Sequence, residues 1–245
     1  MDVIKRITVR DSLIGYFQNQ LLRGKLSPGD KLPTEKELSE SLRVGRASIR
    51  EALSALTFMG ILKKTPEGTF VNDKPGKLPA LTVLSASLIY GSSDYQLYEA
   101  RKIIEVGIAG LAAERATREK VARLEQSIET LRTLIGQGKE FFDEDVRFHL
   151  GIVEMTGNKI LYSLMETMSE LIAAQMSEKI AIIAKEKGLS YAMAIEYHHT
   201  EAIKEHSRIL DDLKRGDCEA AQRSMFFHLH HWQKYCRPVG HQCTK

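Results

Sequence analysis

The 245-residue chain is poor in cysteine, and its three, Cys218, Cys236 and Cys243, are an odd set gathered near one end. That pattern argues against a disulfide framework and for a reducing compartment, the cytoplasm. Proline is scarce as well: six residues, with none between Pro79 and Pro238. Together with 17 glycines this is too little for a disordered chain, and 43% of the residues are hydrophobic. No apolar run approaches the roughly 18–20 residues of a membrane helix, so no membrane partner is expected. The opening MDVIKRITVRDSL has no continuous apolar stretch, so no secretory leader is expected either.

Charge of one sign is concentrated rather than abundant. Residues 1–73 hold 12 Lys/Arg against 9 Asp/Glu, whereas residues 74–245 hold 23 of each. The whole formal excess of +3 therefore lies in the first third. A small basic segment on a neutral body suits an anionic partner.

The organisation follows the same division. Residues 72–79 (Asn-Asp-Lys-Pro-Gly-Lys-Leu-Pro) read as linker, with the spacer proper at 74–79. Before it the pattern mixes helix and strand over residues 1–73. After it, apolar residues recur at three- and four-residue spacing without proline, which favours an all-α bundle of about six or seven helices over residues 80–235. Breaks are expected at Gly91–Asp94, Gly136–Gly138, Gly157-Asn158, Lys187–Ser190 and Gly216-Asp217. Residues 236–245 read as an irregular tail. The fold class is mainly α, with a small β-hairpin.

The first segment has a specific grammar. Leu13, Ile14, Phe17 and Leu21 share one face of a helix over residues 10–22. A Pro28-Gly29 turn leads into a second helix, begun within Leu32–Leu38, in which Thr34 and Glu37 have capping-box spacing. Arg43-Val44-Gly45 is a three-residue turn, and a third helix runs from Arg46 to about Met59. Ile49, Leu53 and Leu56 face inward on it, while Arg46, Ala47, Ser48 and Arg50 face outward. Residues 61–71 then read strand, turn, strand. This is a winged helix-turn-helix. Arg46 and Arg50, four apart, would reach one groove of a duplex, with Lys63 and Lys64 on the flanking backbone. The competing reading is a solvated basic face.

Gly24–Leu38, Val44–Leu53, Gly60–Leu62 and Gly68–Val71 together resemble the DNA-binding head of GntR-family transcription regulators through about 60 residues in unbroken register. The resemblance implies contacts to double-stranded DNA from Lys36, Gly45, Arg46, Ser48, Arg50 and the wing near Gly68. Gly45 departs from the family pattern, which usually places Ser or Thr there. Altered affinity rather than lost binding is expected, since glycine still serves as an N-cap.

Eight histidines occur, and four residues of the second segment deserve weighing together. Asp145 and His149 stand one turn apart on one helix face, among Phe142, Phe148, Ile152 and Val153. His206 and His228 flank Gly216-Asp217 at ten and twelve residues, so on an antiparallel hairpin they meet at one level. Three imidazoles and a carboxylate converging in a bundle suit a divalent transition metal such as Zn, Ni, Mn or Fe. A buried or surface salt bridge is the plainer alternative for Asp145 and His149. His198-His199 lies in a polar stretch and reads as solvated, and His230 and His231 point away from His228. Cys236, His241 and Cys243 make an improbable second metal site.

Tyr98–Glu105, Leu111–Thr117, Asp145–His149, Gly157-Asn158, Glu205–Ile209 and His228-Leu229 resemble the FCD effector domain of the FadR subfamily of the same family, over residues of about 80–235. That resemblance implies Asp145, His149, His206 and His228 as metal ligands. It also implies a small carboxylate metabolite as effector, with Arg101 as its carboxylate partner and Asn158 as a second effector residue. For Arg101 the alternative is an interhelical salt bridge. The whole reads as a homodimeric regulator on a near-palindromic operator, not an enzyme. A direct metal sensor and a metal-dependent enzyme are the alternatives.

Overall fold

The computed structural model describes residues 8–73, 94–136 and 142–235. The linker at 74–79, the break at 91–93, residues 137–141 and the tail with Cys236, His241 and Cys243 lie outside them. The chain divides into two compact units at residues 81 and 82.

In the first unit, α1 (Val9–Leu22), α2 (Glu35–Leu42) and α3 (Arg46–Phe58) precede an antiparallel hairpin of β1 (Leu62–Thr65) and β2 (Gly68–Val71). Helix α2 starts three residues later than Leu32, because Thr34 is its N-cap and Pro33 precedes it. Both halves of the capping box form: the Glu37 N–H donates to Thr34 Oγ1 at 3.3 Å, and the Thr34 N–H to Glu37 Oε2 at 2.7 Å. Leu13, Phe17, Leu38, Ile49, Leu53 and Leu56 bury against Leu62 and Val71, which seats three helices and the wing on one core.

The wing is wider than the hairpin expected from the sequence. The stretch after the Pro28-Gly29 turn pairs with β2: the Leu32 N–H donates to the Thr69 carbonyl and the Val71 N–H to the Asp30 carbonyl, both at 2.8 Å. Asn72 and Asp73 also belong to this head rather than to the linker. Asn72 bonds the Ile61 and Gly60 carbonyls at 2.8 and 2.9 Å, and Asp73 pairs with Lys63 at 2.7 Å. Gly68 takes φ +140, and a Cβ there would stand 2.9 Å from Lys31 Cε.

The second unit contains six helices among the described residues: α4 (Asp94–Glu114), α5 (Arg118–Gly136), α6 (Phe142–Met155), α7 (Lys159–Lys187), α8 (Tyr191–Arg215) and α9 (Cys218–Gln233). Helix α4 packs along α9, and α5 along α6 and α8. Phe148, Ile152, Met165, Ile209 and Leu213 form the centre of the main core. Leu131, Ile180, Ile183 and Trp232 form a second cluster. Gly216 takes φ +65 as the C-cap of α8, and the Asp217 side chain accepts from the Ala220 N–H at 2.9 Å. Stop and start in two residues make α8 and α9 the antiparallel hairpin that the spacing requires. No described helix is long and apolar enough to cross a membrane.

The turn of the helix-turn-helix carries strain. Arg43 is left-handed (φ 55), the one non-glycine residue so placed among those described. The turn is closed by Ser39, whose hydroxyl donates to the Val44 carbonyl at 2.6 Å and whose carbonyl accepts from the Val44 N–H at 3.2 Å. Arg43→Gly removes the Cβ conflict and is expected to stabilise the head by up to about 1 kcal/mol. Chemical denaturation followed by circular dichroism checks this, and an unchanged or lower midpoint would contradict it.

Candidate metal centre and nucleic-acid interface

Helices α6, α8 and α9 each deliver one imidazole to the same place. His149, His206 and His228 are buried, and one nitrogen from each lies within 4.8 Å of the other two. The ring centroids of His206 and His228 are 4.7 Å apart, and those of His149 are 5.2 Å from both. His206 is fully buried and stacks on Phe148 at 4.1 Å between centroids and 19° between planes.

Two carboxylates stand behind this trio, and sequence reading assigned neither a role. Glu105 on α4 places Oε2 2.6 Å from His149 Nδ1, and its Oε1 accepts from Arg101 Nε at 2.5 Å. Burial acts to raise the Glu105 pKa, but the Arg101 guanidinium and His149 outweigh it and hold the carboxyl well below the usual range. Glu205 on α8 accepts from His228 Nδ1 at 2.8 Å and Trp232 Nε1 at 3.1 Å, and also pairs with His231. Burial raises its pKa too, and the two histidines more than offset that.

The donor set fits a transition metal ion. His228 Nε2 and His149 Nε2 face each other at 3.2 Å. Nitrogens held 2.0–2.1 Å from a tetrahedral ion stand about 3.3 Å apart. Both nitrogens of His206 are buried without a hydrogen-bond partner. Burial depresses the His206 pKa far below its ordinary value, and depresses that of His228 against the opposing pull of Glu205. The protonated forms are thus disfavoured, and each neutral ring keeps one lone pair to offer. Asp145, also buried, adds an oxygen 3.5 Å from His206 Nε2. It stands at the edge of the group, outside the tight trio of nitrogens.

The remaining residues of this unit fall elsewhere. Arg101 is engaged by Glu105 one turn along the same helix. Asn158 is the N-cap of α7, and its Oδ1 accepts from the N–H groups of Ile160 and Leu161 at 3.0 and 3.2 Å. His198 and His199 are not solvated: both are buried, His198 against Trp232 and His199 against Phe142. The signal was periodic rather than compositional. Ala194, His198, Ala202, His206, Ile209 and Leu213 recur every three or four residues and form the buried stripe of α8.

In the head, Lys36, Gly45, Arg46 and Arg50 are exposed, whereas Ser48 and Gly68 are half-buried. Gly45 is the N-cap of α3 with no side-chain cap, so the first N–H groups of that helix remain open to an acceptor. Arg50 is paired: its Nε and Nη2 each lie 3.0 Å from Glu35 Oε2 on α2. Lys63 is likewise held by Asp73.

Comparison with known proteins agrees with both halves. The FCD domain family matches residues 96–231, and the bacterial regulatory proteins of the gntR family match residues 8–71. The HTH-type transcriptional regulator LutR of Bacillus subtilis is 34% identical over 211 residues, covering 84% of this chain and 91% of its own. The Uxu operon regulator of Haemophilus influenzae is 29% identical over 223 residues, 88% of this chain and 77% of its own. The HTH-type transcriptional repressor NanR of Cronobacter sakazakii is 26% identical over 218 residues, 87% of this chain and 79% of its own. The solved structure of Streptococcus agalactiae GntR superposes with a TM-score of 0.68 at 22% identity, covering 92% of this chain and 99% of that one, a likeness of fold.

Burial pushes the His199 pKa down to about 3, and that of His198 well below its ordinary value. The unfolded chain takes up these protons near pH 6.5, and the folded one only at lower pH. Stability is therefore expected to be full above pH 6.5 and to fall as the pH drops from 6.5 toward 3. Melting curves across that interval, taken in chelator, should be shallower in pH for His199→Asn than for the parent. Parallel curves would refute the assignment.

Proposed function

The chain belongs to the GntR family of bacterial regulatory proteins and carries an FCD domain, and from that premise we propose that a small carboxylate, bound with a divalent metal in the helical bundle, controls its affinity for an operator. Its relatives and fold neighbour are transcription regulators, not enzymes. The observation that carries the reading is the convergence of His149, His206 and His228 in a domain joined to a DNA-binding head. These three, with Asp145, would hold the ion. Zn, Ni, Mn or Fe suits three imidazoles and a carboxylate. A cation there supplies a Lewis-acid anchor for an organic acid.

The protein's own groups do the rest. The apolar shell around Phe148 excludes water and strengthens charge interactions inside it. Arg101 and Asn158 are the proposed effector residues. Arg101 would change partner from Glu105 to the effector carboxylate, which ties effector binding to the group behind His149. The head acts as one arm of a homodimer, with two copies of α3 in successive major grooves of a near-palindromic site. Lys36, Gly45, Arg46, Ser48, Arg50 and Gly68 form its DNA face. Arg50 must exchange Glu35 for DNA, which makes the Arg50–Glu35 pair a competitor of binding. Repression, the sense named for the NanR relative, is the proposed output, in the cytoplasm.

The engagement of Arg101 by Glu105 favours a second reading, in which the ion is itself the signal. DNA affinity that follows metal and ignores every organic acid would support that reading against the first.

Two outcomes are expected. Arg46→Ala should weaken binding to a duplex selected from random sequence by roughly 5- to 150-fold, the worth of one bidentate base contact; unchanged anisotropy titrations would refute its role. Protein purified without a His tag should carry stoichiometric metal, and chelation should lower its thermal midpoint. At a free metal concentration 100 times Kd the ion contributes about 2.7 kcal/mol. Absence of metal together with an unchanged midpoint would overturn the metal reading.

A further inference from the structure

A metal-ligating imidazole must present a lone pair, and a neutral ring has one nitrogen that donates and one that accepts. Which is which depends on the partner of the other nitrogen. In this bundle each of the two rings that face each other has a carboxylate beside Nδ1, hydrogen-bonded at His228 and in close ionic contact at His149. His149 Nδ1 meets Glu105 Oε2 at 2.6 Å, and His228 Nδ1 meets Glu205 Oε2 at 2.8 Å. An ionised carboxylate only accepts, so each glutamate favours the tautomer with the proton on the facing Nδ1, which would leave both Nε2 atoms as acceptors. Those two Nε2 atoms stand 3.2 Å apart.

We propose that Glu105 and Glu205 are positioning residues of the metal centre, which set the tautomer and ring orientation of His149 and His228 so that their Nε2 atoms converge on one cation. The proposal rests on the metal reading above. Each carboxylate is itself held. Glu105 is buried, and Arg101 Nε bonds its second oxygen. Glu205 is tied by Trp232 Nε1 at 3.1 Å and by His231. Arg101 is thus the half-buried counterion that holds Glu105 in place. His206 has no hydrogen-bonded carboxylate behind it; Asp145 lies 3.5 Å from its Nε2, and the ring stacks on Phe148. The two glutamates also add negative charge behind the ligands, which raises their basicity toward a divalent ion.

The test uses the full-length protein with Co²⁺ as probe. Co²⁺ affinity is measured by competition with a chromophoric chelator for the parent, Glu105→Gln, Glu105→Leu, Glu205→Gln, Glu205→Leu and His228→Ala. The leucine variants should lose roughly 10- to 100-fold in affinity, and the glutamine variants, which retain an acceptor oxygen, should recover part of it. Ring ¹⁵N shifts of the labelled, metal-free parent supply a readout that needs no variant to fold: His149 and His228 should both be Nδ1–H tautomers. Nε2–H tautomers, or glutamate variants that all bind Co²⁺ within threefold of the parent while His228→Ala loses it, would overturn the proposal and leave the metal site standing. A parent that binds no Co²⁺ would overturn both.

Discussion

Imidazole nitrogens that face one another as acceptors inside an apolar bundle are unfavourable unless something positive lies among them. His149, His206 and His228 are in that position, with two Nε2 atoms 3.2 Å apart and a third ring that bonds to nothing through either nitrogen. Protonation is disfavoured at His206 and His228 because the charge would be buried. A shared cation resolves the conflict without an added proton. The surrounding carboxylates, stacking and apolar shell make sense as support for that one convergence.

The same logic explains why the site is spread over four helices. Helices α6, α8 and α9 supply one imidazole each, and α4 supplies the carboxylate behind His149. Binding an ion therefore ties together elements that are distant in sequence. A ligand can shift a conformational equilibrium only by its differential affinity for the two states. A site assembled from so many helices has that differential affinity available, since loosening any one of them weakens the grip.

The head obeys a different economy. Its α2–turn–α3 geometry is secured by local devices: the Thr34–Glu37 box, the Ser39–Val44 closure and the left-handed Arg43. Its cations are not idle in the free protein. Arg50 is held by Glu35 and Lys63 by Asp73. Exposed pairs of this kind contribute little stability. Any phosphate or base edge bound by Arg50 or Lys63 would have to displace them.

Much of this was legible in the residues, because local rules are written locally. The capping box, the Gly216-Asp217 stop and start, the wing and the four-residue offset of Asp145 and His149 all follow from spacing. The hairpin arithmetic around Gly216 placed His206 opposite His228, and the structure brings their rings to 4.7 Å. Composition misled at His198 and His199, where neighbouring polar residues hid a buried stripe with a period of three to four. The roles of Glu105 and Glu205 were not legible. Both lie within the motifs that carry the FCD resemblance, yet nothing there says which imidazole each would meet. Their meaning arises only when α4 and α8 pack beside rings from other helices. Sequence alone decides which segments are helices and which faces are apolar, since propensity, capping and periodicity act over a few residues. Which carboxylate meets which imidazole is decided by tertiary packing, because contact between residues 44 or 23 positions apart depends on how whole helices settle against one another.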